Sequence, residues 1–430
     1  MRTARHSRPG LDVTEHTLQV PLDHSDPSGE QIEVFARELV AAGREPDGLP
    51  WLLWLQGGPG GRADRPAAVS GWLRRALREF RVLLLDQRGT GRSTPATRQS
   101  LPVRGDAAAQ AAYLAHFRAD AIIADAEAFR RHLAGEDARW SVLGQSFGGF
   151  CALTYLSTAP DGLREVLIAG GLPPLQGGPD PVYRSTYRRV RQNNVEYFTR
   201  YPDDERMARR VAEHLAVEDE RLPAGERLSP RRLQSVGIGL GKKLSFDTLH
   251  YLLEDPFVTT RHGPRLSDSF LNGVWAQVSF VDRPLYAVLH EAIYCQGEAS
   301  RWSAHRIRDE HPEFESDHGD GFRFTGEMIY PWQFSEDPAL TPLADAAQLL
   351  AEKDDWPALY DPERLAGNQT PVAAAVYLDD MYVEFEHSMA TARQVGALRA
   401  WVTNGYWHDG IREDGAAVLD RLIDMTRGRL

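Results

Sequence analysis

A serine lies in a five-residue pattern that is suited to nucleophilic chemistry. Residues 144–148 are Gly-Gln-Ser-Phe-Gly, and the apolar run 140–143 precedes them directly. A strand that turns sharply into a helix holds such a serine in a strained backbone conformation, and the flanking glycines relieve the crowding around it. The turn lifts the hydroxyl above the sheet, where the helix N-terminus favours a developing anion. We therefore predict that Ser146 is the nucleophile of a serine hydrolase rather than part of an ordinary strand–helix turn.

A serine hydroxyl attacks a carbonyl only when a base takes its proton, and a carboxylate usually orients that base. After a nucleophile of this type, the chain order is Ser, then Asp or Glu, then His. His408 follows the strand-like run 398–402 through a short turn and is the predicted base. His387 competes on position, but it falls within a predicted helix.

The orienting carboxylate is expected at the end of the late strand 371–377, which runs into the sequence Leu-Asp-Asp. Asp380 lies one residue further past the strand end than Asp379, and the acid usually occupies that place. We favour Asp380. Asp379 would then be a turn or capping residue.

The tetrahedral intermediate needs preorganised donors for its oxygen. One predicted donor is the backbone N–H of Phe147, the residue after the nucleophile. The other is expected from residues 56–60, Gln-Gly-Gly-Pro-Gly, with Gly58 favoured because glycine lets the backbone approach a substrate. A phosphate-binding loop is the alternative, but neither a Gly-Lys-Ser/Thr ending nor a Gly-x-Gly-x-x-Gly pattern is present.

The elements around these residues predict a mostly parallel sheet. The runs 51–55, 81–85, 140–143 and 166–169 are continuously apolar, and helical spacing separates them, as in 119–133. Strands that are apolar on both faces and alternate with helices indicate a parallel sheet covered on both sides. The predicted fold class is therefore α/β with helices on both faces, and the glycine-rich motifs fall at the carboxyl ends of its strands, where ligands bind.

The pattern changes beyond residue 172. Between about residues 181 and 332 helical patterns occur without a buried-strand run, which suggests a helical cap inserted into the sheet domain. The predicted organisation has an N-terminal part of the core at 1–172, a helical cap at 173–340 and a C-terminal part of the core at 341–430.

Composition narrows the function classes. The chain has 430 residues, a formal charge of −12 and a pI near 5.6, so nucleic acids and anionic membranes are not expected partners. Two cysteines are too few for a disulfide framework. The sequence has no apolar run of transmembrane length and no secretory signal at its start, so a cytoplasmic location is expected. Composition leaves the oligomeric state open.

Three motifs taken together carry a family resemblance. Residues 86–93 are Asp-Gln-Arg-Gly-Thr-Gly-Arg-Ser, residues 144–149 are Gly-Gln-Ser-Phe-Gly-Gly, and the loop 56–60 precedes both. The chain therefore resembles the proline iminopeptidase family of α/β-hydrolase serine peptidases. The resemblance covers roughly residues 16–171 and 371–412, and it is weak through the cap. Gln56 departs from the family pattern, which has histidine there.

The resemblance implies release of an N-terminal residue, preferably proline, from short peptides, with no cofactor and no metal. It also implies that acidic cap residues hold the free α-amine of the substrate. Glu291 matches one of them by position, and Glu254 is a weaker match for a second. A protonated amine would offset the cost of burying such carboxylates.

For several other residues a structural role is an alternative to a functional one. Asp86 and Arg88 are expected to brace their loop rather than touch the substrate. The cap aromatics could wall a proline pocket, although core packing is the simpler role for Trp275, Trp302, Trp332 and Tyr330.

Three other functions are alternatives to an aminopeptidase. An esterase or amidase could use the same scaffold, since fold alone does not determine substrate. An epoxide hydrolase would need an aspartate at position 146. A binding protein with a decayed triad is disfavoured by the intact candidates Ser146, Asp380 and His408.

Overall fold

The computed structural model describes residues 2–316, 319 and 321–430. The strands within these residues are β1 (Arg2–Arg8), β2 (Leu11–Pro21), β3 (Gln31–Ala41), β4 (Trp51–Leu55), β5 (Arg81–Asp86), β6 (Trp140–Gln145), β7 (Leu163–Ala169), β8 (Phe257–Thr260), β9 (Gly263–Leu266), β10 (Val372–Tyr377) and β11 (Leu398–Thr403).

The α-helices within the same residues are α1 (Gly71–Ala76), α2 (Ala107–Leu114), α3 (Ala119–Ala134), α4 (Phe147–Thr158), α5 (Pro179–Arg200), α6 (Pro202–Val217), α7 (Pro230–Gln234), α8 (Ser245–Leu253), α9 (Asp268–Val278), α10 (Pro284–Leu289), α11 (Ser303–Arg308), α12 (Gln333–Glu336), α13 (Ala344–Glu352), α14 (Pro362–Ala366), α15 (Phe385–Ala392), α16 (Gly410–Glu413) and α17 (Gly415–Thr426).

The main sheet has nine strands in the order β1-β2-β3-β5-β4-β6-β7-β10-β11. The pairs from β5 to β11 are parallel, whereas β1, β2 and β3 join the sheet in antiparallel pairs. Every residue of β4, β6 and β10 is buried, as expected for strands covered on both faces. The predicted mostly parallel α/β sheet is therefore confirmed.

Alternate residues of the central strands serve two separate hydrophobic layers. Leu53 and Leu83 belong to the layer that contains α3 and α4. Leu52 and Val82 belong to the opposite layer, which α1 and α17 cover. Successive side chains of a strand point to opposite faces, so one apolar run supplies both layers.

No apolar pattern in the sequence predicts the first strand. Apart from Ala4, β1 consists of polar and charged residues, and it pairs with β2 at the edge of the sheet. An edge strand with exposed faces needs no apolar pattern, so the sequence carries no hydrophobic signal for it.

Between β7 and β10, none of the described residues adds a strand to the main sheet. The predicted helical patterns at 205–215 and 246–253 correspond to α6 and α8. The pattern at 285–294 is split into α10 and a 3₁₀ turn at Ala292–Tyr294. A short, largely exposed hairpin of β8 and β9 also lies in this stretch. The exact cap limits, 173–340, stay a prediction.

No helix among the described residues is both long enough and apolar enough to cross a membrane.

Candidate active site

Ser146 lies between the end of β6 and the first residue of α4. Its backbone has φ 55° and ψ −126°, in the left-handed region that a residue with a side chain rarely occupies. Two hydrogen bonds hold it there: its N–H donates to the Ala169 carbonyl at 3.1 Å, and its own carbonyl accepts from Gly149 N–H at 2.7 Å. The neighbouring strand and helix therefore enforce the strained turn.

The glycines of the turn allow backbone segments to approach closely. A Cβ atom on Gly148 would lie 2.0 Å from the Leu55 carbonyl oxygen, and one on Gly144 would lie 2.3 Å from the Gly148 carbonyl oxygen. Neither contact is possible for a larger residue without moving the backbone. These glycines let α4 begin directly against the ends of β4 and β6.

His408 and Asp380 lie beside each other at the carboxyl edge of the sheet. Nδ1 of His408 is 2.8 Å from Oδ2 and 3.0 Å from Oδ1 of Asp380. Oδ1 of Asp380 also accepts backbone N–H bonds from Tyr382 at 2.8 Å and Val383 at 2.9 Å. The carboxylate is thus held on both sides, and it orients the imidazole ring.

The two competing residues lie elsewhere. Asp379 forms an ion pair of 3.3 Å with Arg189. His387 lies on α15, and its Nε2 atom is 3.0 Å from the Ser185 hydroxyl. The structure therefore brings Asp380, and not Asp379, next to His408.

The environment of His408 suits a general base. Burial lowers the pKa of His408, but the charge and hydrogen bond of Asp380, together with the Glu327 charge, outweigh burial and leave it raised. The Gln145 side-chain amide nitrogen lies 3.3 Å from Nε2 of His408. An amide NH₂ group can only donate, so this contact favours the tautomer with its proton on Nδ1, toward Asp380. Nε2 then carries the lone pair that can accept a proton.

The two predicted oxyanion donors lie at the same edge. Phe147 is the first residue of α4, and the first N–H groups of a helix have no partner within the helix. Gly58 has φ 59° and lines the cavity above the nucleophile. The backbone of Gly57 packs against Gln145 and Ser146, since a Cβ there would lie 2.9 Å from Cβ of Ser146.

Charged groups brace the loop after β5. Asp86 accepts from the Arg65 guanidinium at 2.8 Å and from the Arg92 backbone N–H at 3.0 Å. Arg88 is buried and forms an ion pair of 2.6 Å with Asp125. Asp86 and Arg88 do not line the cavity above Ser146, and the contacts of both stabilise the loop.

A cavity of about 880 Å³ opens above Ser146. Its walls come from both core loops and cap helices. The residues that line it include Gln56, Gly57, Gly58, Gln145, Ser146, Lys242, Ser269, Arg283, Tyr286, Glu327, Tyr382, His408, Asp409 and Arg412.

Comparison with known proteins places this geometry in a family. Residues 50–266 match the α/β hydrolase fold. The chain is 51% identical to a proline iminopeptidase from Aeromonas sobria, with 97% of each chain covered. It is 35% identical to a proline iminopeptidase from Aspergillus aculeatus, over 99% of this chain and 96% of the relative. The chain belongs to the proline iminopeptidase family.

A solved proline iminopeptidase from Mycobacterium smegmatis aligns over 96% of this chain and 100% of its own, with 15% identity and a TM-score of 0.45.

The two glutamates matched to the proline iminopeptidase family by position lie outside the cavity wall. Glu291 is buried, and its carboxylate accepts backbone N–H bonds from Ser303 at 3.0 Å and Ala304 at 2.9 Å. Burial raises the pKa of Glu291 despite these bonds. Glu254 is exposed at the end of α8. Their amine-binding role stays a prediction.

A carboxylate that the sequence analysis did not select does line the cavity. Glu327 accepts a hydrogen bond of 2.5 Å from the Tyr286 hydroxyl, and its charge acts on His408. Burial raises the pKa of Tyr286 well above its usual range, so this hydroxyl remains a donor. Glu327 lies in an irregular segment without helical or strand periodicity, so no pattern marked it.

The four cap aromatics do not line the cavity. Tyr330 is fully buried and stacks on Trp332 with 5.4 Å between ring centroids, and its hydroxyl lies 2.9 Å from that of Tyr187. Trp302 packs on Phe334 instead. Packing is therefore the role that the structure supports for these side chains.

No group of three or more His, Cys, Asp or Glu residues in the part of the chain that the structure describes is arranged to hold a metal ion.

Proposed function

We propose that the protein is a serine aminopeptidase that releases N-terminal proline from short peptides. One observation carries the proposal: the nucleophile Ser146, the base His408 and the cap carboxylate Glu327 all face the same cavity. A hydrolase with a carboxylate beside its nucleophile can select a substrate by its protonated amine. The names of the two family members that match nearly the whole chain point to the same activity.

The reaction follows from the geometry in two steps. Ser146 Oγ attacks the carbonyl carbon of the first residue while Nε2 of His408 takes its proton. The backbone N–H groups of Phe147 and Gly58 stabilise the oxyanion, and His408 gives the proton to the departing amine. Water, deprotonated by His408, then hydrolyses the acyl-enzyme and frees Ser146. Asp380 stabilises the imidazolium in both steps.

Glu327 supplies the exopeptidase selectivity in this proposal. Its carboxylate attracts the protonated α-amine, and the Tyr286 hydroxyl holds it in place. An acylated N-terminus has no positive charge and leaves Glu327 unpaired in the cavity, which is costly. Glu291 and Glu254 remain proposed contributors to amine binding, from their positions in the family.

A cytoplasmic location is part of the proposal. Both cysteines, Cys151 and Cys295, are free and buried, which fits a reducing compartment.

The test is a substrate panel: the arylamides of proline, alanine and acetyl-proline, and a simple aryl ester. Proline arylamide should be the best amide substrate, and acetyl-proline arylamide should be cleaved poorly. Equal cleavage of the free and acetylated substrates would contradict amine recognition. Preference for the ester alone would favour the esterase alternative.

A second test addresses the nucleophile. Ser146→Ala should lower kcat by about 10⁴- to 10⁶-fold, whereas Ser269→Ala, elsewhere on the cavity wall, should retain activity. Full activity in Ser146→Ala would refute the assignment.

A further inference from the structure

Three cationic side chains also line the same cavity. Lys242 follows the 3₁₀ helix Ser235–Gly241, Arg283 precedes α10, and Arg412 lies in α16. Three separate segments, two from the cap region and one beside His408, thus place positive charges around one cavity.

Two of these cations form no ion pair with any of the described residues. Arg412 forms an ion pair of 3.3 Å with Asp64. Within the described part of the chain, no carboxylate oxygen lies within 4 Å of the Lys242 or Arg283 charged groups. The Arg283 guanidinium lies 5.2 Å from the Tyr286 ring centroid, which does not neutralise it.

Neither of the carboxylates on the same wall, Glu327 and Asp409, forms an ion pair with Lys242 or Arg283. Glu327 accepts from the Tyr286 hydroxyl. Asp409 neighbours the Glu413 carboxyl group, and burial together with the Asp409 carboxylate raises the pKa of Glu413. Lys242 and Arg283 therefore remain available to an anion that enters the cavity.

The positive charges around the cavity act on one another. Although much of the Lys242 side chain is accessible, desolvation within the cavity lowers its pKa. The Arg412 and Arg283 charges lower it further, while the Asp409 and Glu327 charges oppose them. Like charges gathered at a binding site raise the local concentration of an oppositely charged ligand.

The cavity thus has a negative group, Glu327, and a positive pair, Lys242 and Arg283. A short peptide has the complementary arrangement, with an ammonium group at one end and a carboxylate at the other. A cavity of this size suits a ligand of that class. With the amine held at Glu327 and the reactive carbonyl at Ser146, the departing part of the peptide carries the carboxylate.

We propose that Lys242 and Arg283 form a subsite for the C-terminal carboxylate of the departing part of a di- or tripeptide. This inference rests on the proposed aminopeptidase function and adds a preference for very short peptides with a free C-terminus. The subsite determines specificity and takes no part in bond cleavage.

The experiment compares Pro-Gly and Pro-Gly-Gly with their C-terminal amides, at low ionic strength and a pH where His408 is neutral. For the unmodified enzyme, kcat/KM for the free acid should exceed that for the amide by about fivefold, the value of one ion pair of about 1 kcal/mol. The ratio should fall as salt is added, because screening weakens exposed charge pairs.

Two variants identify the residues. Lys242→Met and Arg283→Met should each reduce the acid-to-amide ratio, and the double variant should bring it close to one. Lys243→Met is the matched control, because Lys243 is the next residue in the chain and does not line the cavity. Its ratio should stay at the unmodified value.

The outcomes separate the two proposals. If proline arylamide is not hydrolysed, the proposed function fails. If proline arylamide is hydrolysed but acids and amides are cleaved equally well, only the carboxylate subsite is refuted. An unchanged ratio in the double variant would also refute the assignment to Lys242 and Arg283.

Discussion

Both carboxylate oxygens of Asp380 lie within 3.0 Å of Nδ1 of His408, although the two residues come from different turns at the sheet edge. The backbone N–H groups of Tyr382 and Val383 hold Oδ1 in position. This arrangement fixes the orientation of the imidazole ring.

Substitutions at Asp380 and at its neighbour Asp379 should have different effects on catalysis. Asp380→Asn should lower kcat by about 10⁴-fold, because an amide favours the wrong tautomer of His408. Asp379→Asn should leave kcat almost unchanged, since Asp379 pairs with Arg189. Steady-state kinetics on proline arylamide check both. Similar losses in the two variants would show that Asp380 is not the orienting acid.

The pH dependence of kcat/KM should report the raised pKa of His408. The base must be neutral to accept a proton, so activity should rise with pH through an inflection above the ordinary histidine value of about 6.5. Glu327→Gln removes a charge that raises this pKa and should move the inflection to lower pH. An inflection below the ordinary value in the unmodified enzyme would contradict the electrostatic account.

Glu327→Gln should also weaken recognition of the substrate amine. Loss of one charged hydrogen bond, about 1.5–3 kcal/mol, corresponds to a drop of about 10- to 150-fold in kcat/KM for proline arylamide. Acetyl-proline arylamide should be affected little, and Glu363→Gln, on the surface of α14, serves as the control.

The same assay tests the two glutamates that the family resemblance indicated. Glu254→Gln or Glu291→Gln could lower kcat/KM for proline arylamide selectively while Glu327→Gln does not. That result would show that the substrate amine does not bind at Glu327.

The buried pair of Arg88 and Asp125 should matter for stability rather than for catalysis. Their side chains are 0% and 1% exposed, and removing one partner leaves the other charge buried, at a cost of about 3–5 kcal/mol. Urea unfolding of Arg88→Met should show this loss. Arg206→Met removes a pair whose side chains are 72% and 92% exposed, so its unfolding midpoint should scarcely move.

Gly148→Ala should destabilise the nucleophile turn. The new Cβ would lie 2.0 Å from the Leu55 carbonyl oxygen, and overpacking of this kind costs about 1–3 kcal/mol or more. Thermal unfolding measures the loss. Gly367→Ala is the control, because φ there is −83° and its nearest Cβ contact is an ordinary 3.4 Å. A similar fall in Tm for both variants would refute the steric argument.

The sequence by itself determined the parts of this protein that local patterns encode. Continuous apolar runs indicated the buried parallel strands, and the motif around Ser146 indicated a nucleophile, because strand, turn and helix propensities act over a few residues. The three motifs in order were enough to suggest the family that the comparisons then showed. The edge strand β1 carries no such pattern because it buries no apolar face.

Only the tertiary structure decided which distant groups meet. The contact of Asp380 with His408 depends on the parallel register of β10 and β11, and two adjacent aspartates cannot be told apart by propensity. Glu291 was selected by position, yet folding directs its carboxylate to the N–H groups of Ser303 and Ala304. The cavity gathers Glu327, Lys242 and Arg283 from separate segments. Long-range packing creates such a site, and no short pattern in the chain encodes it.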